Sequence, residues 1–131
     1  MHSQQKYLQN LSLEFFPPRT DVGMEKLKTV IESLKVIQPH YMSVTYGAGG
    51  TTQARTIETV DYIQTQTEFD AAPHLTCIGA TAESVCALLD TYSKMGIQRI
   101  VALRGDLPSG MMDPGEFKYA SDLIAFIRQE R

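Results

Sequence analysis

The sequence predicts an α/β fold built on a parallel sheet, and three observations carry that expectation. Four short strand-like runs recur along the chain, a helical apolar pattern follows each of them, and the repeat is about 30 residues, the length of a βαβ unit. The runs are LSLEFF (11–16), YMSVTY (41–46), AAPHLT (71–76) and RIVALR (99–104). Only the architecture repeats, and no low-complexity linker interrupts it.

Each element has a local reason. In the first run Leu11, Leu13 and Phe15 alternate with Ser12, Glu14 and Phe16, and Pro17-Pro18 stop the strand. In MEKLKTVIESLKVI (24–37), Met24, Leu27, Ile31 and Leu34 fall three and four apart and make one apolar stripe. In TTQARTIETVDYIQ (51–64) the corresponding stripe is Ala54, Ile57, Val60 and Ile63. In TAESVCALLDTYSKMG (81–96), Thr81 is the expected N-cap, Val85, Leu88 and Tyr92 form the stripe, and Gly96 is the expected stop. The last helix is expected to begin near Ser121 within YASDLIAFIRQER.

Side chains alternate across a strand, so each run has two faces. One reads Leu11/Leu13/Phe15, Met42/Val44, Pro73/Leu75 and Val101/Leu103, and suits the layer beneath the helices. The other reads Ser12/Glu14, Ser43/Thr45, Ala72/His74/Thr76 and Ala102/Arg104, small or polar throughout. Its ionisable groups fall near the C-terminal strand ends, where α/β enzymes place their active sites. Glu14 alone would also suit a solvated strand end. With His74 and Arg104 expected to face it, a shared polar pocket is the better reading.

The totals narrow the classes. With 131 residues, 43% hydrophobic and 21% charged, the chain is expected to form a single domain, 1–131. A net charge of -3 without a basic cluster argues against nucleic acid, and no apolar run approaches the roughly 20 residues that span a bilayer. The start of the chain does not read as a secretory signal. Cys77 and Cys86 fit no zinc or redox spacing and are expected as reduced thiols of a cytoplasmic protein. His2, His40 and His74 lie too far apart in sequence to imply a metal site on their own.

Two loops carry chemistry. Gly47, Gly49 and Gly50 in TYGAGGTTQART let backbone N–H groups approach an anionic or nucleotide ligand, although the spacing is neither GxGxxG nor a P-loop. A plain strand-to-helix connection explains them equally well. In ALRGDLPSGMMDPG, Arg104 and Asp106 flank Gly105, offering a guanidinium for an anion and a carboxylate for N–H donors. A mutual surface ion pair is the plainer alternative. His74 reads either as a hydrogen-bonded structural residue or as a donor lining a cofactor pocket.

Five blocks, LEFFPPR, SVTYGAGG, APHLTC, GIQRIVALRGDLP and YASDLI, resemble in order and spacing the N-terminal half of the methylenetetrahydrofolate reductases of the bacterial flavoprotein type. The resemblance runs from about residue 11 to the end of the chain. It implies one (βα)4 half of a TIM (β/α)8 barrel, a fold that typically needs about 250 residues. It implies an oxidoreductase of one-carbon metabolism, in which a hydride passes from NAD(P)H by way of FAD to 5,10-methylenetetrahydrofolate. The product, 5-methyltetrahydrofolate, serves methionine synthesis. Glu14 matches the family's general acid, and Asp106 matches a residue that contacts the pterin and lies near the flavin. Thr45, Tyr46, Ala48, His74, Arg104, Gly105, Asp106, Tyr119 and Ala120 match cofactor-binding positions, that of Thr45 lying near the flavin and tied to the nicotinamide. Four of eight barrel units leave open sheet edges, so pairing with a second copy or a complementary half barrel is expected. A non-catalytic half-barrel module that binds flavin weakly, or serves only in assembly, is the alternative.

Overall fold

Pro17 and Pro18 end the first strand, and Thr20 starts the first helix by accepting a hydrogen bond from Gly23 N at 3.1 Å. The computed structural model describes residues 9–46, 50–107, 110 and 115–130. The elements run β1 (Ser12–Phe15), α1 (Asp21–Leu34), a 3₁₀ turn (Lys35–Ile37), β2 (Tyr41–Val44), α2 (Gly50–Gln66), β3 (Asp70–Thr76), α3 (Ala82–Lys94), β4 (Val101–Leu103) and α4 (Ala120–Glu130). The four strands form one parallel sheet in the order β1-β2-β3-β4.

The helices cover one face of this sheet. Met42, Val44, Ala71 and Leu75 are buried beneath Ile31 of α1, Val60 and Ile63 of α2, Val85, Leu89 and Tyr92 of α3, and Leu123 of α4. The α1 stripe holds, with Met24 and Ile31 buried and Leu27 and Leu34 half-buried. In α3, Thr81 and Ser84 form a reciprocal capping box. The helix stops where Gly96 takes φ +76, a left-handed conformation that glycine adopts without a Cβ clash.

Two expectations need correction. In α2, Ala54 is exposed, while Thr56 and Thr59 join Val60 and Ile63 in the buried face. The threonine hydroxyls are satisfied by main-chain oxygens, Thr56 by Thr45 O at 3.0 Å and Thr59 by Arg55 O at 2.8 Å. Burial therefore costs them little, and a hydropathy pattern misses them.

The second correction concerns β4. Its register pairs His74 with Val101, Leu75 with Ala102 and Thr76 with Leu103. Val101 and Leu103 therefore share the face of Glu14 and His74, while Ala102 packs on the helix-side core. Ile100 to Leu103 is apolar at every position, so alternation could not phase this strand. A one-residue slip reverses both faces.

Candidate active site

The uncovered sheet face is built by register. Glu14, Ser43 and Ala72 lie side by side on β1, β2 and β3, and His74 follows two residues along β3. Ser43 is buried, and its hydroxyl donates to Leu13 O at 3.4 Å, which leaves the space above it to its longer neighbours. Glu14 reaches across that space, and its Oε2 lies 3.2 Å from Nε2 of His74. The Glu14 side chain is 54% exposed and that of His74 only 11%. Although the distance is that of an ion pair, Nε2 makes no well-aligned hydrogen bond and has no solvent access.

Thr45 extends the same row. Its N–H donates to Phe15 O at 2.9 Å and its carbonyl accepts from the Thr56 hydroxyl, so the end of β2 is tied to both β1 and α2. Tyr46 is half-buried, and burial pushes its phenol above the ordinary tyrosine range. It lines a pocket of ≈ 230 Å³ at this sheet edge with Gln53, Thr76, Ile78, Ala80 and Ser84. A larger apolar hollow of ≈ 290 Å³ lies between α3 and α4 and contains none of the expected site residues. Ala48 lies outside the described residues, as do Gly47 and Gly49.

A second group of expected residues forms where β4 meets α4. The phase of β4 turns Arg104 away from Glu14. Arg104 Nε instead donates to Lys118 O at 3.2 Å, immediately before Tyr119 and Ala120. The Asp122 carboxylate caps this turn by accepting from Lys118 N and Tyr119 N at 3.2 and 3.0 Å. Gly105 has φ +78, and a Cβ placed there would come within 3.3 Å of Thr76 Cβ. Glycine thus lets the chain pack closely against Thr76 and Ile78 right after Arg104. Asp106 is exposed, and no ion pair joins it to Arg104.

So the structure joins Glu14, Thr45 and His74 on one face and Arg104, Gly105, Tyr119 and Ala120 at one corner. The family model of methylenetetrahydrofolate reductase matches residues 1–131. The chain belongs to this family. It is 43% identical over 120 residues to 5,10-methylenetetrahydrofolate reductase of Escherichia coli K12, covering 92% of this chain and 40% of that protein. It is 39% identical over 132 residues to methylenetetrahydrofolate reductase 1 of Schizosaccharomyces pombe, covering 98% of this chain and 22% of that protein. A third relative, methylenetetrahydrofolate reductase (NADH) 1 of Arabidopsis thaliana, is 37% identical over 123 residues, covering 91% of this chain and 21% of that protein. The chain therefore spans about two-fifths of the bacterial reductase it matches.

Within this methylenetetrahydrofolate reductase segment, sequence reasoning missed Glu116. Its carboxylate accepts from Ala82 N at 2.8 Å and so joins the approach to α4 to the N-terminus of α3. Nothing local signals a contact 34 positions apart. It also missed that Leu103 stands beside Thr76 on the face of the Glu14–His74 pair. Among the described residues no group of His, Cys, Asp and Glu is arranged to hold a metal ion, and no helix is long and apolar enough to cross a membrane.

Proposed function

We propose that this chain is one (βα)4 unit, the N-terminal half of a methylenetetrahydrofolate reductase barrel. In this reading Glu14 is the proton donor in reduction of 5,10-methylenetetrahydrofolate to 5-methyltetrahydrofolate. The observation that carries the reading is the Glu14 carboxylate, held half-exposed on the uncovered sheet face and 3.2 Å from a buried histidine nitrogen. A carboxyl in such a place is anchored at one oxygen and can still reach a ligand with the other.

The Arg104 guanidinium at the β4–α4 corner fits a flavin dinucleotide, whose pyrophosphate needs donors. Arg104, Gly105, Tyr119 and Ala120 would hold FAD from the β4–α4 corner, with Thr45, Tyr46 and His74 along the neighbouring strand ends and Ala48, which follows Tyr46 in sequence, as a further contact. Bound FAD would supply the relay that takes a hydride from NAD(P)H and delivers it to the folate. Glu14 gives its proton to the folate nitrogen whose C–N bond breaks, leaving an iminium carbon that accepts the hydride. Asp106 stands at the same edge, where its negative charge bears on both pterin and flavin.

Gel filtration of the purified chain after incubation with FAD tests this reading. A visible flavin band should persist. Glu14→Gln should keep the band while lowering folate reduction about 10²–10⁴-fold, the usual worth of a general acid. One observation favours the second reading, an assembly module: among the described residues the sheet has four strands and carries helices on one face. Loss of all flavin on the column would favour that module.

A further inference from the structure

The proton-donor reading of Glu14 leaves open what aims its carboxyl. Its side chain has three rotatable bonds and is half-exposed, yet one oxygen lies against an immobilised ring. We propose that His74 is the positioning residue for Glu14, donating Nε2–H to Oε2 and leaving Oε1 to carry the proton toward the ligand. The catalytic meaning rests on the function proposed above; the pairing itself rests on geometry alone.

A neutral imidazole carries one N–H, and its neighbours decide which nitrogen holds it. Nε2 of His74 is shut off from water and lacks an aligned partner, a costly state for a buried polar atom. With the proton on Nδ1 instead, the Nε2 lone pair would face a carboxylate oxygen at 3.2 Å. With the proton on Nε2, a small turn of the carboxylate makes a charge-assisted hydrogen bond.

Among the described residues, the strand neighbours that flank His74 on this face are uncharged. Ser43 and Thr45 approach from β2, and Val101 and Leu103 from β4. Asp70, on the same face, lies at the far end of β3 and is engaged by Arg99 at 3.1 Å. Ser43 Oγ is turned to Leu13 O. Glu14 is thus the acceptor the fold supplies.

Long-range ¹H–¹⁵N correlation spectra of the ¹⁵N-labelled full chain, free of flavin and folate at about pH 8, where a free imidazole is neutral, decide the matter. A His74→Gln variant assigns the signals. His40 is the internal reference, because its Nδ1 accepts from Leu11 N and its proton must sit on Nε2. His74 should show the Nε2–H tautomer. Glu14→Gln should preserve it, since the amide oxygen still accepts, and Glu14→Ala should shift the Nε2 resonance or change the tautomer. An Nδ1–H tautomer in the unmodified chain, or an unchanged His74 spectrum in Glu14→Ala, overturns the assignment. If Glu14→Ala does not fold, the tautomer of the unmodified chain decides alone. No flavin is needed, so this result is independent of the cofactor test.

Discussion

Tyr92 is buried to its hydroxyl, and that hydroxyl has no hydrogen-bond partner. Burial, with Tyr46 as a smaller contribution, pushes its pKa up from 10.0 to about 12. Below pH 10 the phenol is protonated in both folded and unfolded chains, and its contribution to stability is whole. Between pH 10 and 12 the unfolded chain loses the proton first, so stability falls with rising pH by roughly 2–3 kcal/mol in total. Tyr92→Phe removes both the orphan hydroxyl and this loss. It should raise stability by about 1 kcal/mol near neutrality and flatten the alkaline decline. Urea denaturation of both proteins near pH 7 and in the alkaline range checks this, and a less stable phenylalanine variant at pH 7 would contradict it. The periodicity of the α3 region placed Tyr92 in the core, but the fate of a hydroxyl depends on neighbours distant in sequence.

At the level of elements, legibility followed how sharply each pattern contrasts. In α1 and α3, apolar residues stand among charged ones, and Thr81 and Gly96 punctuate α3, so the buried faces were readable in advance. In α2 the threonines blurred the contrast, and β4 had none. The β4–α4 connection was legible in composition but not in its contacts. The Thr81 cap and the Glu116 carboxylate together satisfy two N-terminal N–H groups of α3, those of Ser84 and Ala82. Thr81→Ala should cost about 1 kcal/mol. Glu116→Gln should cost less, because an acceptor remains and only the charge on the helix dipole is lost, worth roughly 0.3–1 kcal/mol. Urea midpoints at constant slope measure both. The end of β4 has its own test at Gly105, which has φ +78 and faces Thr76. Gly105→Ala should destabilise by about 1–2 kcal/mol, through left-handed strain and the close approach. An alanine there without effect on the urea midpoint would contradict the left-handed conformation of Gly105 and its close approach to Thr76.

At the scale of the whole molecule, the described residues form two layers, a parallel sheet and the helices packed on it. Helices cover one face, while the other carries the Glu14–His74 pair beside Val101 and Leu103, both only partly buried. Leu11 and Phe16, flanking β1, are exposed at 45% and 77%. Parallel sheets are found almost only with both faces covered, and β1 and β4 each present an edge that no other described strand pairs. A single layer of helices therefore leaves apolar surface and main-chain donors in water, and association relieves both. The chain should run as a dimer or larger species in size-exclusion chromatography with light scattering at micromolar concentration. Leu103→Lys places a charge on the uncovered face without touching the helix-side core. It should shift the population toward monomer while the far-ultraviolet circular dichroism keeps its α/β character. A monodisperse monomer for the unmodified chain would refute the association. An unchanged oligomer in Leu103→Lys would move the contact from this face to the sheet edges.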